Sequence, residues 1–277
     1  MANLPPIIDA HQHAFTASYE DDGTPVKNPL TGKPSTAATD RELITETISQ
    51  MDKHNITRAL AGGNPETVRK WTEAAPDRFI PSVELRGNPI TPTVEEVKEL
   101  LEDGTIKAIG EILTQYRGIA PNDVVLDPYY ALAEEYDVPA WIHVSGTGAF
   151  EPSFRVRYGN PLLVEDVLEK YPDLRLCVCH VGYPFKAEIV SMLYMYPRLY
   201  TDVSVQNWLR PREVFYDYLK EVLEYSQAYK RVMFGSDQMW WPEAIGWAVD
   251  STRSAPFLSG EQKRDIFYNN AKRFLRL

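Results

Sequence analysis

Residues 5–15 read PPIIDAHQHAF. Ile7 and Ile8 form the apolar part of a short strand, and two histidines, His11 and His13, stand one residue apart where it ends. The whole chain of 277 residues has five histidines, so this spacing near its start is a rare feature. Side chains two apart on a strand point to the same side. The pair can therefore pinch one ion, provided the rest of the chain brings further ligands to the same place.

Outward from that stretch, short apolar runs alternate with helical periodicity. IIDAH is the first strand. Residues 16–39 are rich in Thr, Pro, Gly, Ser and Asp and read as a long loop. Asp40 is read as the N-cap of a helix with Leu43, Ile44, Thr47, Ile48 and Met51 at helical spacing. TRALAGG and RFIPSVEL are the second and third strands, with a helix at 65–75 between them. A helix over 93–102 follows, capped by Thr93 and ended by Gly104. IKAIGEI, PAWIHVSG, LRLCVCHVG, RLYTDVS and KRVMFGSD supply strands four to eight. Helices are read between them at 127–137, 161–170, 185–195 and 211–227, and after them at 242–255 and 260–275. Near-continuous apolar strands suit a parallel sheet buried on both faces. Eight strand-then-helix repeats point to a closed (β/α)8 TIM barrel rather than an open sheet. No composition break divides the chain, so 1–277 reads as a single barrel domain. The loop at 16–39 then lies at the C-terminal mouth of the barrel, as a candidate lid.

The totals agree with a soluble enzyme-sized protein: 44% hydrophobic and 25% charged residues. A net charge of −10 disfavours nucleic acid and anionic membranes as partners, and there is no basic stripe. Cys177 and Cys179, the two cysteines, read as buried reduced thiols. The start lacks a basic segment followed by an apolar one, and no apolar run reaches the length of a membrane span. The expectation is a cytoplasmic protein with a small-molecule substrate, no nucleic-acid partner and no membrane association.

The remaining chemistry falls at strand ends. His143 ends strand five, His180 strand six, Glu111 strand four and Asp237 strand eight; only His54 lies elsewhere, on the first helix. The C-terminal ends of barrel strands are where such folds build active sites. Imidazoles and carboxylates together suit Zn²⁺, and also Mn²⁺ or Fe²⁺. His11, His13, His143, His180, Glu111 and Asp237 are the candidate ligands. His180 has the alternative of a free acid/base beside the ion, and Glu111 that of pairing with a neighbouring Lys or Arg at the mouth. Asp9 is in phase with the histidine pair but deeper, which suggests a support for a ligand. Asp202 is a candidate for the same role or for facing the substrate.

DAHQH, WIHVSG, CHVGYPF and FGSDQMWWP together resemble the amidohydrolase superfamily, in its amidohydrolase-related branch of metal-dependent hydrolases and decarboxylases. The likeness extends over nearly the whole chain, including RYGNPLLVEDVLEKYPDLRLCVCHVGYPF and the ending IFYNNAKRFLRL. It implies a metal-requiring TIM barrel in which His11, His13, His143 and Asp237 bind metal and Asp237 also shuttles protons. His180 corresponds to a second-metal ligand in two-metal members and to a catalytic acid/base in one-metal members. Glu111, in IGEI, resembles the glutamate that bridges two metals in TatD-type deoxyribonucleases, so one ion and two ions both remain open. The family's usual aromatic-Pro after the strand-eight Asp is here Gln238-Met239-Trp240-Trp241-Pro242, a departure at the substrate pocket. A homo-oligomer is a further expectation from the resemblance.

The leading functional expectation is hydrolysis of a small ester, lactone or amide by a metal-activated water, with Asp237 and His180 as catalytic residues. Arg86, Arg155 and Arg157 are candidates to clamp a substrate carboxylate. Trp240, with Trp241, Phe150, Tyr116 and Phe154, is a candidate to line an apolar pocket. The alternatives are nonoxidative decarboxylation of an aromatic or unsaturated acid at the same centre, and a catalytically inactive barrel that binds a partner.

Overall fold

The computed structural model describes residues 5–17, 26–148 and 151–277. Phe150 and the middle of the 16–39 loop lie outside them. Nine strands form: β1 (Ile7–His13), β2 (Ile56–Gly63), β3 (Phe79–Gly87), β4 (Ile90–Thr91), β5 (Ala108–Ile112), β6 (Ala140–Ile142), β7 (Leu176–Val178), β8 (Leu199–Asp202) and β9 (Val232–Met233). Eight of them pair in parallel in the order β1-β2-β3-β5-β6-β7-β8-β9. The short β4 was not foreseen; it pairs antiparallel with the end of β3, outside the barrel. The ring closes between β1 and the segment after β9: Ala10 N donates to Phe234 O at 2.9 Å, Asp237 N to His11 O at 2.8 Å and His13 N to Gln238 O at 2.8 Å. Helices separate the strands, as alternation requires, and the chain is a (β/α)8 barrel.

Burial explains the arrangement. All seven residues of β1 are buried. Ile8, Ala10, Leu60, Ala108, Trp141, Cys177, Cys179 and Met233 pack inside the ring, and Phe274 of the final helix (Asn270–Leu275) packs against them. Phe274 meets Tyr200 with ring centroids 5.0 Å apart, and Asn270 Nδ2 donates to Val232 O at 2.6 Å. The last helix thus seats against strand beginnings, opposite the mouth. Both cysteines are buried free thiols, as their composition suggested.

Local differences from the sequence reading have local causes. Thr39, not Asp40, caps the first helix (Asp40–His54): its hydroxyl accepts from Glu42 N, and Glu42 closes the capping box. Asp40 instead uses its carboxylate to accept from Ala17 N at 2.9 Å, which ties the two ends of the long loop together. Thr93 caps its helix as read, with Glu96 completing the box. The strands at LRLCVCHVG and KRVMFGSD shrink to three and two residues, because the chain turns early to present His180 and Asp237.

Candidate metal centre

Strict alternation along β1 would place Ala10 and Gln12 on one face and Asp9, His11 and His13 on the other. The register shows why that fails. Between Asp9 and Gln12, three steps of β1 span two of β2, from Ala59 to Ala61. This bulge shifts the phase, so Ile8 and Ala10 face the barrel interior below and His11 and His13 face the centre above. Asp9 is left out of the ligand cluster. It is fully buried and accepts from Ser236 N at 2.9 Å, His11 N at 3.1 Å and Gln12 Nε2 at 2.8 Å. Its support acts on the backbone that carries His11 rather than on an imidazole ring. Burial pushes its carboxyl up to about 6, against the pull of those hydrogen bonds.

The same device aims Glu111. Ile109 to Ile112 spans only Val83 to Leu85 on β3 and Ala140 to Ile142 on β6. Gly110 makes the step possible: its φ is +136°, and a Cβ there would stand 2.3 Å from the Trp141 carbonyl oxygen. His143 follows β6 directly. His180 lies in the turn after β7 at φ 61°, and Asp237 follows β9 at φ 52°.

These groups converge. Nε2 of His11 and Nε2 of His13 both lie 3.5 Å from Glu111 Oε2. On the other side of the same carboxylate, Oε1 is 3.0 Å from His143 Nδ1 and 3.4 Å from His180 Nε2. Asp237 Oδ1 is 2.9 Å from His13 Nε2 and 3.5 Å from His11 Nε2. Two triads result, His11–His13–Asp237 and Glu111–His143–His180, each with its ligand-capable atoms close enough to share one ion.

Each of the four imidazoles of the cluster has its far nitrogen engaged, which fixes the nitrogen it presents. His11 Nδ1 meets Asp202 Oδ2 at 3.1 Å, and His13 Nδ1 meets Glu84 Oε1 at 2.5 Å. His180 Nδ1 meets Ser204 Oγ at 2.9 Å, and His143 Nε2 meets the Thr147 carbonyl at 3.2 Å. Carboxylate or carbonyl behind the ring is the usual outer support of metal-ligating histidine. Asp202 therefore takes the supporting role rather than facing the cavity. Glu84 and Ser204 had not been singled out. An acid inside the apolar strand PSVELRG, in phase with Arg86, was the available signal for Glu84, because an unpaired carboxylate is rarely buried.

The electrostatics show what the cluster is built for. Burial works to lower His11, yet Asp202, Asp237 and Glu111 raise it well above the usual imidazole range. Burial opposes the rise of His13 too, but Asp237 and Glu84 bring it to about 9. Against the cost of burial, the imidazoles hold Glu111 well below the usual carboxylate range, and Asp237 is lowered in the same way. Burial lowers His143, outweighing Glu111. The buried carboxylates of this cluster call for positive charge close by, which protons on His11 and His13 supply where no cation does. His11 Nε2 is a buried ring nitrogen with no hydrogen-bond partner among the described residues, and it points at Glu111 and Asp237. Nitrogen and oxygen donors in this arrangement fit a divalent cation.

Above the centre opens a cavity of about 670 Å³ whose floor includes His13, Glu111, His143, His180 and Asp237. Phe15, Tyr116, Trp208, Trp240 and Trp241 wall it, with Lys27, Arg86 and Arg117 as its basic groups. Trp240 Nε1 donates to Thr16 O at 3.1 Å and Trp241 Nε1 to Val26 O at 3.0 Å. The unusual QMWWP segment thus holds Thr16 and Val26 at the mouth, and Val26, Lys27 and Pro29 line the cavity. Arg155 and Arg157 are placed elsewhere, exposed and bonded to Pro152 O and to Tyr158 Oη. Phe154 packs on Tyr116, behind the wall.

The sequence profile of the amidohydrolase family matches residues 8–277. The chain belongs to the amidohydrolase family. Solved barrels of similar shape include an uncharacterised TIM-barrel protein from Bordetella bronchiseptica, at TM-score 0.74 and 20% identity, with 98% of this chain and 99% of that one covered. A probable 2-pyrone-4,6-dicarboxylic acid hydrolase from Acinetobacter baumannii, with citric acid bound, matches at TM-score 0.71 and 16% identity over 99% and 100% of the two chains. A 5-carboxyvanillate decarboxylase from Novosphingobium aromaticivorans, with bound manganese, matches at 0.67 and 16% over 98% and 97%. At such identities these likenesses establish the fold alone. No curated protein matches the chain. Among the described residues of this family member, no helix is long and apolar enough to cross a membrane.

Proposed function

We propose that this member of the amidohydrolase family is a metal-dependent hydrolase of a small ester, lactone or amide that carries a carboxylate. The observation that carries the reading is Glu111, whose two oxygens each face a pair of imidazoles. His11, His13 and Asp237 would hold one divalent cation, with Glu111, His143 and His180 holding a second; Zn²⁺ suits the donors, as does Mn²⁺. Cations there would supply Lewis acidity toward the substrate carbonyl and make water acidic at neutral pH.

The chain's own groups do the rest. Asp237 is kept ionised and lines the cavity, so it can take the proton of the attacking water and return it to the leaving group. His180 points Nε2 into the second triad, which favours its role as a ligand over that of a free acid. Arg86 is the guanidinium group that would receive the carboxylate, Arg117 being paired with Glu151 at 2.6 Å on the same cavity, and the aromatic walls exclude water around an apolar body. The aromatic walls also favour the second reading, decarboxylation of an aromatic acid at the same centre.

The test is a panel of aryl and alkyl lactones, esters and amides, each with a carboxylate, alongside hydroxybenzoic acids. Metal-stripped and Mn²⁺- or Zn²⁺-loaded protein are compared. Metal-dependent cleavage without CO₂ release supports hydrolysis; CO₂ release without cleavage transfers the assignment to decarboxylation. Equal rates in metal-stripped and loaded protein would remove both readings.

A further inference from the structure

We propose that Glu84 couples a carboxylate-binding position at Arg86 to the cation-binding imidazole of His13, so that the two ligands reinforce one another. The proposal rests on the reading above, of the centre as a cation site and the cavity as one that takes a carboxylate.

Glu84 and Arg86 lie two apart on β3 and so on one side of it. Glu84 is 3% exposed, and its carboxylate has two cationic partners. Its Oε1 meets His13 Nδ1 at 2.5 Å, and its Oε2 accepts from Arg86 Nε at 2.7 Å. Phe15 steadies both partners: the His13 ring stacks on it at 4.6 Å, and the Arg86 guanidinium lies 5.3 Å from its centroid. Arg86 reaches the cavity, whereas the presented nitrogen of His13 reaches Asp237 and Glu111.

One negative charge is therefore divided between a guanidinium and an imidazole N–H. A ligand carboxylate on Arg86 partly neutralises the guanidinium and weakens its draw on Glu84. Glu84 then acts more strongly on His13 Nδ1–H, and His13 Nε2 becomes a better donor to a cation. Linkage makes the effect reciprocal: a cation on His13 strengthens carboxylate binding at Arg86. In this scheme Glu84 is a positioning residue. It touches neither the cation nor the substrate, and it keeps the centre weakly held until a carboxylate is in place.

Calorimetric titration of the metal-stripped full-length protein with Mn²⁺, with and without saturating benzoate, tests the proposal. Benzoate is expected to tighten Mn²⁺ binding in the wild type by about 5-fold or more, at the lower bound of common couplings. Glu84→Gln keeps the shape but sets an amide against Arg86 or His13. It should weaken Mn²⁺ about 10–100-fold and abolish the benzoate effect. Arg86→Gln should also abolish the benzoate effect, yet leave Mn²⁺ affinity in the absence of benzoate at or above wild type. That opposite sign separates coupling from a merely structural role and decides the matter if Glu84→Gln does not fold. Equal Mn²⁺ affinity with and without benzoate, an Arg86→Gln loss as large as that of Glu84→Gln, or failure of benzoate to bind each overturns the proposal. Absence of any Mn²⁺ binding overturns the reading of the centre itself.

Discussion

Glu111 stands within 3.5 Å of nitrogen atoms from four imidazoles: it belongs to the triad with His143 and His180 and also faces His11 and His13 of the other. Glu111→Gln keeps the shape and removes the charge. It should lower metal-dependent turnover about 100-fold, in the range typical of disturbed ligand support. Metal content should fall with a wild-type circular dichroism spectrum; unchanged metal content and rate would mean that Glu111 is only a structural acid. Gly110 beside it has φ +136° and no room for a Cβ. Gly110→Ala should cost about 3 kcal/mol or more in urea unfolding, and a wild-type midpoint would refute that reading. Much of this site is legible residue by residue: His11, His13, His143, His180, Glu111 and Asp237 all meet where strand ends in a barrel should bring them. Asp9 is legible as a support, but not as one that acts on the His11 backbone, because alternation assigns faces only while a strand keeps its register; Glu84 is not legible from alternation at all. The bulges at Ala10–His11 and Gly110–Glu111 break register at the places that matter. No apolar pattern marks them, since they serve the site rather than the core.

At the scale of elements, the loop between β1 and the first helix is tied down by groups distant in sequence. Trp240, Trp241 and Asp40 hold Thr16, Val26 and Ala17 respectively. Read alone, Trp240 and Trp241 fit either a pocket wall or ordinary packing; in the structure they are both, each indole N–H holding the loop while the ring lines the cavity. Trp241→Phe removes the bond to Val26 and leaves an aromatic ring. It should weaken benzoate binding several-fold while Mn²⁺ affinity stays within about twofold, because the loop shapes the mouth and not the triads. A parallel loss of Mn²⁺ affinity would show that the loop also supports the centre. The helices were easier to read than the strand ends. Thr93 and Glu96 carry a local capping signal, whereas the shortening of β7 and β9 follows from the turns that deliver His180 and Asp237.

For the whole molecule, alternation of strands and helices was enough to give the barrel, because eight buried parallel strands have few other ways to close. The helix at its far end was legible only as a helix; its seat beneath the barrel depends on Phe274 finding the interior formed by Ile8, Ala10 and Trp141. The barrel concentrates buried acids and imidazoles at one end. A bound cation should therefore stabilise the fold as well as equip it. With free Mn²⁺ at about 100 times its Kd, linkage gives about 2.7 kcal/mol. For a chain of this size that is a rise in Tm of about 5 °C over the metal-stripped protein. A scan that does not respond to Mn²⁺ or Zn²⁺ would contradict it.

The most direct test of the central claim is anomalous diffraction from crystals of the full-length protein grown with Mn²⁺. The account predicts a peak between His11 Nε2, His13 Nε2 and Asp237 Oδ1, with a second between Glu111, His143 and His180 at sufficient Mn²⁺. Crystals with no anomalous peak among these residues, and with the imidazoles still bonded only to the carboxylates around them, would contradict it.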